Sequence, residues 1–263
     1  MASNKKEQRK KFLQEHPICC FCGGQTKAEE PDHIPSRALF EDRQWPEGYV
    51  FPACINCNRI TRNDEQVVAM ISRMFPNPKT TDERKQLEKT IISFRNYSPK
   101  TFKELGEASV RDKRNAVKKY NLQVPGDKTI GELPLFKVDG PLVNRSITNF
   151  GRKLFLALYY RHAEKILSDK AGIGLKWYSN LQIENDILPK ELAHLTNKIP
   201  NIIRCKQDLK DQFFYRYDLT ECKNEGMFLA FFRKSFAILG YINTDISNFD
   251  KFDNEIIVAP FIH

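Results

Sequence analysis

Apolar residues fall at helical spacing in some stretches of this chain and alternate in others. In "DEQVVAMISRM", Val67, Met70, Ile71 and Met74 recur at the step of one helix face, predicting a helix that resumes near Ile55 or Asn63. "ITNFGRKLFLALYYRHAEKIL", residues 147–167, is the longest apolar helix candidate and reads as a core element. "QFFYRYDL" alternates instead: Phe213, Tyr215, Tyr217 and Leu219 share one side, Phe214, Arg216 and Asp218 the other. "KNEG" supplies a turn, and "MFLAFFRKSFAILGYI" and "EIIVAP" are rich in aromatic and β-branched residues. Together they predict an antiparallel sheet packed on the 147–167 helix.

The remaining stretches divide the chain. Residues 4–15 read as a short basic helix ended by His16–Pro17. Residues 17–62 are rich in Cys, Pro and Gly and lack helical period, as expected of a small hairpin-based module. "PNP" at 76–78 breaks the following helix. Thr80 stands three residues before Glu83, a capping-box pattern, and "SVRDKRNAVKKY" reads as another basic helix. Residues 121–146 carry three prolines and three glycines and predict an irregular connector. The expected class is α+β, organised as a basic helix (1–16), a cysteine-rich module (17–75), a helical and connector region (76–146) and an α+β domain (147–263).

Charge narrows the partners. The 263 residues carry 42 basic and 33 acidic side chains, a formal +9, which favours polyanions, DNA first among them. Residues 1–11 hold five basic side chains against one acidic, and residues 95–120 eight against three. Each run also fits a solvated helix face. No apolar stretch nears the roughly 20 residues of a membrane span, and the start lacks a signal-peptide core, so a cytoplasmic protein is expected. Nothing in the pattern decides between a monomer and a homodimer.

Seven cysteines are an odd number, and five of them lie between 19 and 57. Clustered, reduced cysteines point to metal rather than disulfides. Cys19 and Cys22 form one C-x-x-C, Cys54 and Cys57 a second, so four thiolates can close tetrahedrally on one structural zinc. Turn geometry favours Cys19 in the first pair, with Cys20 the competing ligand. Cys205 and Cys222 read as structural thiols outside this frame.

Between the knuckles lies "PDHIPSRALF", and Asn58 follows Cys57 directly in "PACINCNR". The combination C-x-x-C, Asp32–His33 with a nearby proline, then C-x-x-C-Asn resembles the HNH (ββα-metal, His-Me finger) endonucleases. The likeness is to their zinc-bearing branch of endonuclease VII-type and bacterial HNH proteins, and it covers about residues 17–66. It implies that His33 is the general base, that Asp32 and Asn58 hold a catalytic Mg²⁺ or Mn²⁺, and that the zinc is structural. One position departs from the pattern. Tyr49 stands where that family carries an asparagine that orients the histidine, and Asn56 and Asn63 are the substitutes within reach.

Arg37, Arg43, Arg59 and Arg62 flank the frame and can grip phosphates. Asp64 and Glu65 are either extra metal ligands or first-turn acids complementing a helix dipole. His16, His162, His194 and His263 have no metal-type spacing. The expected function is a metal-dependent DNA endonuclease, and the resemblance extends to a role in restriction or anti-phage defence. A non-catalytic zinc module that binds nucleic acid or protein is the alternative, since it needs the cysteines and the charge but not Asp32, His33 and Asn58 together.

Overall fold

The computed structural model describes residues 2–75, 78–184, 192, 202–204, 209, 212–249 and 256–262. The class is α+β. Helix α1 (Ala2–Glu15) leads into a hairpin of β1 (Glu30–His33) and β2 (Val50–Ala53), followed by α2 (Ile55–Ile60) and α3 (Arg62–Arg73). Three helices come next: α4 (Thr81–Tyr97), α5 (Pro99–Glu104) and α6 (Val110–Tyr120). The Thr80–Glu83 capping box forms at the start of α4, each side chain accepting from the other residue's backbone N–H at 3.2 Å.

Helix α7 (Pro141–Ala163) is the long apolar helix, begun six residues earlier than its periodicity predicts. Pro141 at its first turn explains the difference, because a proline there has no hydrogen bond to lose. The second half is a six-stranded antiparallel sheet of β3 (Gly172–Ser179), β4 (Ile202–Arg204), β5 (Phe214–Leu219), β6 (Glu225–Phe232), β7 (Phe236–Asn243) and β8 (Ile256–Val258). Its order is β4-β5-β6-β7-β3-β8. A short helix, α8 (Asn180–Glu184), follows β3. The sequence pattern anticipated β5 to β8 but not β3, whose "GIGLKWYS" has two glycines and a lysine among few alternating positions. No described helix is long and apolar enough to cross a membrane.

Helix α7 lies close on the sheet. Gly151 faces Leu175 and Ile238, where an added Cβ would sit 3.4 to 3.5 Å from their methyl groups. Gly240 of β7, opposite Phe228 and Leu175, leaves room for the Phe155 ring of the same helix. One apolar cluster then runs from this layer into the hairpin module. Phe40 and Tyr49 meet Phe213 edge-on at 6.4 and 6.0 Å between ring centroids, and the Phe261 N–H bonds the Phe21 carbonyl at 3.0 Å.

Gly240→Ala should therefore destabilise the protein by about 1–3 kcal/mol, because its methyl group meets the Phe155 ring in a packed core. Gly126→Ala has open space and should stay within about 1 kcal/mol of the parent. Urea denaturation of both variants measures the contrast.

Candidate functional site

The two knuckles do close. The Sγ atoms of Cys19, Cys22, Cys54 and Cys57 all lie within 4.8 Å of one another and are buried. Sulfurs at about 2.3 Å from a tetrahedral zinc stand about 3.8 Å apart, so the four-thiol set fits a structural metal such as zinc. Local geometry explains the closure. Gly23 and Gly24 take left-handed φ values of 64° and 76° behind the first knuckle, and Cys54 caps α2, its sulfur accepting from the Cys57 N–H at 3.4 Å. Cys20 is buried outside the group, with its thiol pushed up by burial.

Three of the thiols are shifted by one another and by burial. A hydrogen bond from Cys57 brings Cys19 down to about 5, while the same bond pushes Cys57 well above the ordinary range. Burial raises Cys22 as well.

The hairpin places Asp32 and His33 on opposite faces, since successive residues of a strand alternate. His33 lies beside Trp45, with ring centroids 5.2 Å apart, and its Nε2 is 2.6 Å from Nη2 of Arg37. A guanidinium only donates, so Nε2 accepts and the imidazole is neutral. Burial and the Arg37 charge lower its pKa to about 4. Arg37 in turn stacks on Trp45, 3.5 Å from the ring centroid.

Asp32 points the other way, into the molecule. Its Oδ2 is 2.6 Å from Nζ of Lys153 on α7, an ion pair whose angles fall outside hydrogen-bond geometry. Burial outweighs that ammonium and raises Asp32 to about 6. Lys153 is fully buried and also donates to Thr61 Oγ1 at 2.9 Å and Glu65 Oε1 at 3.1 Å. Its burial favours the neutral amine, but Glu65 and Asp32 together hold its pKa above the usual value. Asn58 sits in α2 and donates its amide to Glu30 Oε1 at 2.6 Å. The carboxylate of Asp32 is thus engaged by Lys153 and the side chain of Asn58 by Glu30. The two residues predicted to share a divalent ion face different partners, Asp32 Oδ2 toward Lys153 and the Asn58 amide nitrogen toward Glu30.

Arg43, Arg59 and Arg62 line one groove of about 570 Å³ with Glu30, Asn58 and Tyr97. Arg37 lies outside that lining but within the electrostatic reach of Arg43. Arg43 and its neighbour Asp42 hold left-handed φ values of 56° and 49°, an uncommon pair for side-chain-bearing residues. Tyr49 is in the core, its hydroxyl 2.9 Å from that of Tyr215. Asn56 is exposed, and Asn63 lines the groove.

The other candidates have structural settings. Asp64 Oδ2 accepts from Asn149 at 3.0 Å. His16 Nδ1 meets the Tyr160 hydroxyl at 2.8 Å, and His162 Nε2 meets that of Tyr215 at 2.7 Å. Cys222 is exposed, which corrects the expectation of a structural thiol: it sits in the β5–β6 turn, where little chain surrounds it. Cys205, His194 and His263 lie outside the described residues. Sequence reasoning missed Lys153, Trp45 and Glu30. A signal for the first existed, because Lys153 interrupts the most apolar helix of the chain.

Two outcomes follow from this geometry. Cys54→Ser should release the metal and unfold the 17–75 segment, because structural zinc binding carries roughly 10 kcal/mol or more of folding free energy. Cys20→Ala should keep the metal; elemental analysis reads both. The second concerns pH. Burial and Arg161 lower His162 to about 4 from 6.5. Between those values the unfolded chain takes up a proton that the folded chain refuses, so stability falls as pH drops through this window. Asp32, shifted upward, acts in the opposite sense over its own window. His162→Gln should flatten the loss between pH 6.5 and 4.5, read as urea midpoints against the parent.

No family model, curated protein or solved structure matches this chain.

Proposed function

We propose that this protein hydrolyses phosphodiester bonds in nucleic acid, with DNA the expected substrate and His33 the general base. The observation that carries the reading is the contact between Nε2 of His33 and the Arg37 guanidinium. It holds a neutral imidazole beside a group built to receive a phosphate. A phosphate that draws Arg37 onto its own oxygens uncovers the Nε2 lone pair at contact distance. Nε2 then takes the proton of an attacking water while the water oxygen bonds phosphorus. The P–O3′ bond breaks on the far side, and the leaving oxygen takes its proton from solvent. Arg43, Arg59 and Arg62 hold flanking phosphates along the groove, which positions the strand without reading its sequence. The resemblance in the cysteine and Asp–His pattern supports the same assignment for His33.

A second reading has its own support. Asp32 is engaged by Lys153, Asn58 by Glu30, and the Tyr49 hydroxyl by that of Tyr215. These contacts suit a zinc-stabilised module that binds nucleic acid without cutting it.

His33→Ala separates the two. On supercoiled plasmid it should lower the nicking rate by about 10²–10⁴-fold, the usual contribution of a positioned base, while zinc content and DNA binding stay at parent levels. Nicking as fast as the parent, or no nicking by the parent, leaves the binding module as the function.

A further inference from the structure

Three oxygens from three places meet at one buried ammonium. Nζ of Lys153 lies 2.6 Å from Asp32 Oδ2, 2.9 Å from Thr61 Oγ1 and 3.1 Å from Glu65 Oε1. Asp32 comes from β1, Thr61 from the junction of α2 and α3, and Glu65 from α3. An ammonium has three N–H donors and no acceptor; two of them reach Thr61 and Glu65, and Asp32 stands beside it as an ion-pair partner. The Thr61 hydroxyl donates to Glu65 Oε1 at 3.0 Å, which turns its lone pairs toward Nζ. Two carboxylates and a hydroxyl around one positive centre is also the donor set of a hard divalent cation. The difference is reach. Mg²⁺ draws oxygens to about 2.0–2.1 Å, whereas an ammonium keeps them at hydrogen-bond distance.

We propose that Lys153 is the resident cation of the Asp32 site, standing where the sequence resemblance puts a divalent ion. The native protein then takes up no divalent metal at Asp32, and a site for one arises only when the ammonium is removed. Two further positive charges beside a buried ammonium would be repelled by it. The charge also comes from α7, outside the 17–75 segment, so the acid face of the hairpin is complete only with α7 docked on it. This inference stands whether or not the protein cleaves phosphodiesters, because it concerns cation occupancy alone.

Mn²⁺ titration of the zinc-loaded full chain, followed by the electron paramagnetic resonance signal of the free ion, tests it. Parent and Asp32→Asn should give the same titration. Lys153→Met removes the charge at similar length and should gain one site, binding Mn²⁺ at least tenfold more tightly than the parent. Adding Asp32→Asn to Lys153→Met should abolish that site. Zinc content and circular dichroism report whether the Lys153→Met chain is folded. A stoichiometric Mn²⁺ in the parent that Asp32→Asn removes overturns the proposal, as does a folded Lys153→Met protein with no added site. Should Lys153→Met fail to fold, the comparison of parent with Asp32→Asn decides alone, since Mn²⁺ uptake that depends on Asp32 is excluded by the proposal.

Discussion

The rest of the candidate site hangs on the closure of four thiols. Its hairpin strands are four residues each, and the helix that follows has six. Neither is stable by itself: a lone two-stranded hairpin is marginal in water, and a helix of that length is far below the nucleation limit. A metal held by the four thiols would supply stability that hydrophobic burial in so short a segment cannot give alone. Because Cys54 begins α2 and Cys57 lies one turn on, the cluster fixes where Asn58 emerges. The hairpin is held by its own connection to the knuckles, through the Cys20 N–H on the Pro52 carbonyl at 3.0 Å. The position of His33 at the end of β1 is inherited from that clamp.

Helix α7 completes what the clamp begins. Gly151 and Phe155, four residues apart, share the face that meets the sheet. Lys153 lies between them in sequence, about 200° away around the helix from Gly151, and reaches the hairpin and α3 instead. The helix is thereby sandwiched between two layers, apolar toward one and ionic toward the other. A buried ion cluster of this kind adds little net stability, because desolvation offsets its attraction. Losing one partner is costly, however, and a rotation of α7 by a single residue would do so. The Tyr49–Tyr215–His162 hydrogen-bond chain ties the same helix to the hairpin's second strand end and to β5.

How legible this was depends on whether a feature is local. The cysteine grouping could be read directly, because C-x-x-C encodes its own turn and needs only a second copy to close. Helix α7 was visible as the longest apolar run of the chain, and β5 by its alternation. Strand β3 escaped because its first four residues are all buried, which leaves no polar face for them to alternate with. The partner of Asp32 escaped for a different reason. It lies 121 positions away on α7, and no local pattern around "PDHIP" carries that information. Lys153 itself was conspicuous as a charge in an apolar helix, but a sequence does not say which acid it meets.

Asp32 and His33 are adjacent in the chain yet serve separate environments, because one strand step turns the side chain to the other face. Each has acquired a cation of its own, Lys153 on the inner side and Arg37 on the outer. On the inner side burial raises the acid, so the ammonium is what keeps Asp32 charged at neutral pH. On the outer side burial and Arg37 both act against an imidazolium, so His33 is neutral but a weak base at about 4. In the proposed reaction a phosphate cancels the Arg37 charge and draws the guanidinium off Nε2. Removing that charge raises the basicity of His33 at the moment a proton must be taken. A base weak in the free protein and stronger under substrate responds to the phosphate itself, and that response follows from geometry in which Asp32 has no part.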